Sequence, residues 1–285
     1  MDITVIVPVY KGQKYINPIQ EMVEKNILYA KDNGQPLSVE LLFVNDFPAD
    51  PIVVDKRGDN YRIETFFNPK NCGIHQTRVN GLKKATGNYI LFLDQDDTIT
   101  SNCLYSQYMS IGENDIVIGN GYRKVNDCYR KIYKSTKKQK LSCKEIIYLK
   151  AANQIVSPGH CLIRKEAIPS EWCNNCMTDN GSDDLLLWLI MFEKGKKFCV
   201  NHECVYKHVD TGINFSDNIN AMFQSSENLI SIAEKNQLLQ EKSISLYKRR
   251  IKYLKNMQNA SILKKISLTI SNLDICLMKA YAYYR

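Results

Sequence analysis

The strongest local signal in this chain lies in residues 71–97, NCGIHQTRVNGLKKATGNYILFLDQDD. The part from 74 to 86 predicts a helix, and Gly87 closes it, since glycine is the residue most suited to a helix end. Residues 88–94 form an apolar run that predicts a strand. This strand leads directly into Asp94-Gln95-Asp96-Asp97. The sequence therefore predicts a helix, a buried strand and a carboxylate cluster, in that order.

The same alternation of strand and helix extends toward the N-terminus. Residues 2–9 and 38–45 are β-branched, apolar runs of strand length, and 61–67 forms a third run. Between the first two, Asn17 and Pro18 predict the start of a helix, as an N-cap and a first-turn proline. This order predicts an α/β fold with a mostly parallel open sheet and helices on both of its faces.

Three of the predicted strands end in polar residues. Tyr10 follows the first strand, Asp46 follows the second and the DQDD cluster follows the fourth. Ligands of open α/β sheets bind outside the carboxyl ends of the strands, so one cleft is expected to collect these residues. Asp94 and Asp96 can both face a divalent cation that also binds a diphosphate. The alternative is an acidic turn without a ligand, whereas a dinucleotide site would need a GxGxxG motif that is absent.

The second half of the chain continues with weaker patterns. Strands are predicted at 115–118 and 156–164, and residues 196–209 predict one or two more. Ser182 precedes an apolar run that ends at Gly195, which predicts a capped helix. From about residue 216 onward the pattern is helical.

The bulk composition describes an ordinary globular protein. The chain has 285 residues, 44% of them apolar and 24% charged. It contains no apolar run long enough for a membrane span, and its first ten residues do not form a signal peptide. Its ten cysteines are scattered, as in proteins of a reducing cytosol, and Cys173 and Cys176 have the spacing of only half a zinc site. A cytoplasmic location is therefore predicted.

Four segments, taken in order, resemble family 2 glycosyltransferases of the GT-A (Rossmann-like) fold. They are ITVIVPVY, LLFVNDFPAD, the stretch 71–97 quoted above, and SDDLLLWLIMFEKG. The resemblance implies a nucleotide-sugar-binding half at 1–100 and an acceptor-binding half at 101–212. A helical, basic tail would follow at 213–285.

The resemblance also implies how a nucleotide-sugar donor is bound. Residues of the first motifs would line the nucleoside pocket, and Asp46 would accept a hydrogen bond from the base, most often uracil. Arg78 would lie near the donor and Asp94 near the ribose and the hydrated metal. The full predicted donor-binding set is Pro8, Val9, Tyr10, Asp46, Asn71, Gly73, Arg78, Asp94 and Gln95.

A divalent metal, Mn²⁺ or Mg²⁺, is the cofactor that the resemblance implies. Asp96 would bind it, together with Asp94, and its charge would neutralise the departing diphosphate. His208 stands where several relatives have a third ligand, although a lone histidine is as often a structural residue.

Asp184 matches the catalytic base of the family, with Asp183 beside it. A base is needed to deprotonate the acceptor hydroxyl as it attacks the anomeric carbon, which inverts the configuration. The alternative is that both acids only stabilise a helix N-terminus. That position would keep Asp184 ionised at neutral pH.

Two motifs depart from the family pattern. Val44-Asn45-Asp46-Phe47-Pro48 replaces a motif of the VDDGS type, so it keeps the acid and loses the glycine and serine. Asp183-Asp184 replaces Glu-Asp, which shortens the first acid by one methylene. The QxxRW element of processive synthases is absent, so single additions are expected.

The tail has eight basic residues and no acidic one between 242 and 273, within a chain of net charge +8. Tyr247, Ile251 and Leu254 form an apolar line beside Lys248 and its basic neighbours. This pattern predicts a helix on an anionic membrane surface, at the inner face of the plasma membrane, with a glycan or lipid-linked glycan as acceptor. The alternative is a solvated basic face on a packed helix.

Other functional classes fit the sequence less well. A catalytically silent sugar-binding or assembly module would have been free to lose Asp96 and Asp184. A sugar nucleotidyltransferase would need a glycine-rich basic loop after its first strand, which KGQKYINP matches poorly. No nucleic-acid-binding motif is present, so no nucleic-acid partner is expected.

Overall fold

The computed structural model describes residues 1–54, 61–125, 128–209 and 218–284. Their strands are β1 Ile3–Val9, β2 Val39–Asn45, β3 Tyr61–Phe67, β4 Tyr89–Phe92, β5 Thr98–Ile99, β6 Ile116–Val125, β7 Cys128–Lys131, β8 Cys161–Arg164 and β9 Phe198–His208. Strands β3, β2, β1 and β4 lie side by side and parallel. Every residue of β1 and β2 is buried, as expected for strands covered on both faces. The four strands predicted in the N-terminal part of the chain are confirmed.

The second half of the sheet is mixed. It continues from β4 through β8, β6 and β9 to β5. β8 pairs antiparallel with both β4 and β6, whereas β6 and β9 run parallel. β7 pairs antiparallel with the C-terminal part of β6. The predicted parallel order thus holds for the first four strands, and the α/β architecture with an open sheet is confirmed.

Helices cover the sheet on both sides. They are α1 Gln13–Asp32, α2 Ile74–Lys84, α3 Cys103–Ile111, α4 Thr136–Gln139, α5 Glu145–Lys150, α6 Ser170–Asn174, α7 Asp183–Glu193, α8 Ile219–Lys235, α9 Glu241–Gln258, α10 Ile262–Ser271 and α11 Leu273–Tyr284. Alternate residues of β1 enter different cores: Ile6 packs with residues of α2 and α7, and Val5 packs with residues of α1 and α3. This is the two-faced burial that the period of a strand dictates.

Helix α1 begins four residues before the predicted cap. Its N-cap is Gly12, and Pro18 lies inside the helix. The prediction that Asn17 caps this helix is therefore wrong.

The C-terminal helices differ in how they pack. In α9, Tyr247 is 1% and Ile251 5% exposed, because both belong to the core that includes α5, α7 and α8. Leu254, the third residue of the apolar line, is half-buried. The line that was expected to face a membrane thus packs against the protein, as in the alternative of a packed helix, and its assignment to a membrane is wrong. Helix α10, in contrast, has no buried residue. No helix in the described part of the chain combines the length and apolarity that crossing a bilayer requires.

Candidate active site

A cleft of about 740 Å³ lies at the carboxyl ends of β1, β2 and β4. It is lined by every residue that the sequence suggested for donor binding, metal binding or catalysis: Pro8, Val9, Tyr10, Asp46, Asn71, Gly73, Arg78, Asp94, Gln95, Asp96, Asp183, Asp184 and His208. The structure thus brings the predicted residues together, as the rule for open α/β sheets requires. Their individual roles stay predictions.

Asp46 organises one end of the cleft. Its Oδ1 accepts hydrogen bonds from Asn68 Nδ2 at 2.8 Å and from the backbone amide of Cys72 at 2.7 Å. Its Oδ2 accepts one from the amide of Gly73 at 3.0 Å. Gly73 has a φ of 81°, which favours glycine, and it is the N-cap of α2. The buried carboxylate therefore fixes the turn that precedes α2.

An aromatic rim stands beside Asp46. The rings of Tyr10 and Phe47 meet edge to face with centroids 5.3 Å apart, and the ammonium of Lys11 lies 4.7 Å from the Phe47 centroid. Phe47 is the residue that replaces the glycine of the family motif. The backbone of Tyr10 is also tied to Gln95, whose Oε1 accepts from the Tyr10 amide at 3.0 Å. The ends of β1 and β4 are thereby joined.

Arg78 connects the two acidic motifs of the cleft. Its guanidinium donates to Asp94 Oδ1 at 2.5 Å and to Asp183 Oδ2 at 2.6 Å. Burial opposes the charge of Arg78, but the neighbouring Asp94 and Asp183 outweigh burial and raise the pKa of Arg78 above its usual value. Asp94 Oδ2 also accepts from the hydroxyl of Ser157 at 3.1 Å. Both oxygens of Asp94 are therefore engaged by the protein itself.

Asp184 lies at the N-terminal end of α7, where the backbone amide of Leu185 donates to its Oδ1 at 2.7 Å. Asn153 Nδ2 donates to its Oδ2 at 2.9 Å. Burial, followed by the negative charge of Asp183, raises the pKa of Asp184 to about 7. At that pKa, Asp184 is about half ionised at neutral pH, so the expectation that the helix N-terminus keeps it ionised is met only in part, because burial and a like charge oppose the helix dipole.

The DQDD cluster and His208 form the acidic side of the cleft. Asp97 is buried, and its carboxylate accepts from the hydroxyl of Tyr206, from His208 Nδ1 at 2.9 Å and from the amide of Val209 at 3.1 Å. Burial, and then the charges of Asp97 and Asp94, raise the pKa of Asp96. A cation would relieve this repulsion.

In the described residues, no three His, Cys, Asp or Glu side chains are placed to hold a metal ion by themselves. Asp96 and His208 nevertheless fit such an ion. The bond from Asp97 to Nδ1 leaves Nε2 of His208 for a ligand, an arrangement common among metal-binding histidines. Mg²⁺ is usually held by one or two protein ligands together with substrate phosphates and water. A site completed by a bound diphosphate is therefore compatible with these residues.

Several lining or supporting residues were missed from the sequence. Asn153 and Ser157 come from the segment between α5 and β8, where the pattern was weakest, and Asn180 accepts from the amide of Ile74 at 3.3 Å. Asp97 was visible in the DQDD cluster, but the sequence did not indicate its bond to His208.

Two other histidines have structural contacts. His75 stacks on Trp172 with centroids 4.4 Å apart, and His160 Nδ1 lies 2.8 Å from Gly119 O.

Solved structures with the same fold are known. The chain matches the crystal structure of S. aureus TarS 1-349 in complex with UDP-GlcNAc with a TM-score of 0.60, over 98% of this chain and 81% of that chain. It matches the complex of TarS 1-349 with UDP with a TM-score of 0.55, over 100% of this chain and 93% of that chain. At 16% identity these matches show the fold alone, and they confirm the expected GT-A architecture.

Sequence relatives cover less of the chain. An uncharacterized glycosyltransferase of Haemophilus influenzae is 32% identical over 125 residues, which are 42% of this chain and 46% of the relative. Glycosyltransferase GlyA of Streptococcus pneumoniae serotype 4 is also 32% identical over 125 residues, 42% of this chain and 17% of the relative. The matched part thus spans less than half of either relative.

The model of glycosyl transferase family 2 matches residues 4–170, more than half of the chain. This range includes all of β1 except Ile3, the DQDD cluster and the loop that carries Asn153. It ends before α7, so the motif that carries the predicted base lies outside the matched residues. The chain belongs to glycosyl transferase family 2.

Proposed function

We propose that the protein is an inverting glycosyltransferase that moves a sugar from a nucleotide diphosphate donor to a hydroxyl of a bacterial surface glycan or lipid-linked oligosaccharide. The observation that carries this proposal is the single cleft in which Asp184, Arg78 and the DQDD cluster meet. A base, a diphosphate-binding region and an aromatic rim for a nucleoside are the parts that such a transfer needs.

Asp184 is the proposed base. Its carboxylate takes the proton of the acceptor hydroxyl while the hydroxyl oxygen bonds to the anomeric carbon and the bond from that carbon to the diphosphate breaks. The nucleotide diphosphate leaves with the bonding electron pair, and the configuration at the carbon inverts. Asn153 and the Leu185 amide orient the carboxylate for this step. A raised pKa suits a general base that works near neutral pH.

A UDP-sugar is the proposed donor. Tyr10 and Phe47 offer an aromatic rim for the base, and the buried Asp46 lines the same cleft as Tyr10. The TarS structures of the same fold contain UDP-GlcNAc and UDP, which supports this choice of nucleotide. Arg78 holds Asp94 in place beside the expected position of the diphosphate.

Mn²⁺ or Mg²⁺ is the proposed cofactor, with Asp96 and His208 as ligands and Asp94 nearby. Such an ion supplies positive charge that stabilises the leaving diphosphate. Asp97 fixes the ring of His208 by its bond to Nδ1.

Donor binding by the cleft can be measured directly. UDP is expected to bind the wild-type protein in the presence of Mn²⁺, and Asp96→Ala should weaken this binding by about tenfold or more, because the carboxylate ligand is lost. Isothermal titration calorimetry with and without Mn²⁺ gives the affinities. Asp32→Ala, an exposed acid on α1, serves as the control and should bind UDP normally. Absence of metal-dependent UDP binding in the wild type would contradict the proposed function.

The alternative is a catalytically silent sugar-binding or assembly module with the same fold. It would bind UDP but would not release UDP from any UDP-sugar. The presence of both Asp96 and Asp184 in one cleft favours the enzyme.

We further propose that the protein contacts an anionic membrane through α10, at the inner face of the plasma membrane. Its residues Ile262, Leu263, Ile266 and Ile270 are 78%, 80%, 53% and 70% exposed. Lys264 and Lys265 lie among them and are also exposed. An exposed apolar face with adjacent lysines complements a surface of anionic lipids. Such a location would bring the cleft to lipid-linked acceptors.

Vesicle flotation tests this contact. The protein is expected to float with vesicles that contain phosphatidylglycerol and much less with pure phosphatidylcholine. Leu263→Glu with Ile266→Glu should reduce binding by about tenfold or more, since two apolar side chains are replaced by charges. Leu28→Glu with Met109→Glu, two exposed apolar residues elsewhere, is the matched control. Unchanged flotation of the α10 variant would overturn the membrane assignment. So would a wild-type protein that is a dimer and an α10 variant that is a monomer, since the exposed face would then be a subunit interface.

A further inference from the structure

The pairing of β6 with β7 and β9 places two arginines in one row with His208. Arg123 pairs with His208 on one side and with Arg130 on the other. Directly paired residues of neighbouring strands point to the same face of a sheet. The side chains of Arg130, Arg123 and His208 therefore share one face.

That face is the one that looks onto the DQDD cluster. Tyr206 and His208 are two residues apart on β9, so they point the same way, and both bond to Asp97. The next row, formed by Lys131, Tyr122 and Lys207, must point to the opposite face. In agreement with this, the ammonium of Lys207 lies 3.9 Å from the ring centroid of Tyr129, which is on that opposite face.

Arg123 and Arg130 are available to bind an anion. Both are exposed, and neither forms an ion pair with any residue that the structure describes. Tyr133 links β6 to the segment that follows α5. Its backbone amide donates to Asn120 Oδ1 on β6 at 3.1 Å, and its hydroxyl donates to Gln154 O at 2.7 Å. Gln154 is next to Asn153, whose side chain bonds to the proposed base.

The position of the two arginines separates them from the nucleoside end of the cleft. Tyr10 and Asp46 follow β1 and β2, whereas β6 lies three strands beyond β1 in the sheet. At the usual spacing of strands this is roughly 14 Å. In the row, Arg123 lies between Arg130 and His208, so an anion bound by the two arginines would lie beside His208 and away from Tyr10 and Asp46.

We propose that Arg123 and Arg130 form a phosphate-binding subsite for the acceptor, so that the acceptor carries a phosphate or phosphodiester group near the hydroxyl that is glycosylated. This inference rests on the proposed glycosyl transfer. The guanidinium groups can bind phosphate oxygens in pairs, a geometry that arginine favours. The donor diphosphate is the other source of the same chemistry.

The test uses the full chain saturated with UDP and Mg²⁺, so that the nucleotide occupies its own phosphate sites. Glycerol 3-phosphate is titrated and followed by ligand-observed NMR, with glycerol as the uncharged reference. Wild type is expected to bind glycerol 3-phosphate, and Arg123→Gln with Arg130→Gln should weaken binding by about tenfold or more. Lys131→Gln with Lys207→Gln removes equal charge from the opposite face and should bind as the wild type does.

Each other outcome has a definite meaning. Equal weakening in both double variants, or no binding of glycerol 3-phosphate by the wild type, would overturn the subsite. Loss of UDP affinity in the arginine variant, with glycerol 3-phosphate bound only when UDP is absent, would assign the arginines to the donor diphosphate and overturn the acceptor assignment. Failure of the proposed function is distinguishable, because the wild type would then either not bind UDP or bind it without releasing UDP from any UDP-sugar. All four side chains are exposed, so the variants should melt at the wild-type temperature.

Discussion

Asp184→Asn is expected to lower kcat for sugar transfer by about 10³-fold, within the range of general-base catalysis, while the affinity for UDP is unchanged. Asparagine has nearly the same shape, and its Oδ1 can still accept from the Leu185 amide. Its amide nitrogen can accept neither the hydrogen bond from Asn153 nor the proton of the acceptor hydroxyl. The measurement is the initial rate of UDP release from a UDP-sugar with an acceptor present, together with UDP titration of both proteins. Glu21→Gln, an exposed acid on α1, is the control.

The pH dependence of the same reaction gives an independent check. The pKa of Asp184 is raised to about 7, so the carboxyl group is protonated below that pH and cannot act as a base. kcat/KM of the wild type should therefore fall as the pH is lowered through about 7, and this limb should be absent from the residual activity of Asp184→Asn. A variant that retains wild-type turnover would remove Asp184 from the mechanism.

Arg78→Met is expected to lower the free energy of unfolding by about 3–5 kcal/mol, the range for breaking a buried ion pair from one side. The guanidinium is buried and bonds to two carboxylates, so its loss leaves Asp183 and Asp94 without their counter-charge. Urea unfolding followed by fluorescence measures the loss. Lys83→Met, an exposed basic residue on the same helix, should cost little.

A second variant separates charge from packing. In Arg78→Met, the carboxylates of Asp94 and Asp183 both lack their counter-charge. Adding Asp183→Asn removes one of these two negative charges and should recover part of the lost free energy of unfolding. If the double variant is no more stable than Arg78→Met, the destabilisation comes from lost packing of the arginine side chain. A cost below about 1 kcal/mol for Arg78→Met would mean that the two ion pairs are not coupled to folding.

The strands near the N-terminus were predictable because they are buried on both faces and thus apolar throughout. Each of the first four begins and ends within two residues of its predicted bounds. The start of α1 was missed because Pro18 suits a first turn, whereas the structure accepts it inside the helix. The antiparallel pairing of β8 was not predictable, since strand direction depends on the long connection that follows β4.

The candidate site was predictable where it follows buried strands. Tyr10, Asp46 and the DQDD cluster were located by the ends of strands alone, before any resemblance was considered. Asn153 and Ser157 were missed because they come from a loop whose sequence has no period, and their role depends on contacts with Asp184 and Asp94 from distant parts of the chain. The raised pKa of Asp184 was missed for a similar reason, since burial cannot be judged from a helix cap.

In the C-terminal tail, helical spacing alone could not predict which apolar residues are buried and which are exposed. Both the line of Tyr247 and Ile251 and the stripe of Ile262 and Ile266 have helical spacing. Only the packing of α9 against α5 and α8 distinguishes the buried line from the exposed stripe.

The two ion pairs that Arg78 forms with Asp94 and Asp183 also restrict how this protein can diverge or be re-engineered. One cation balances acids from both sequence motifs, so neither motif can be exchanged alone without leaving an unbalanced charge. A chimera that takes its donor-binding segment from a relative must therefore also take a compatible partner for residue 183. We accordingly expect Arg78, Asp94 and Asp183 to be kept or replaced together among related sequences.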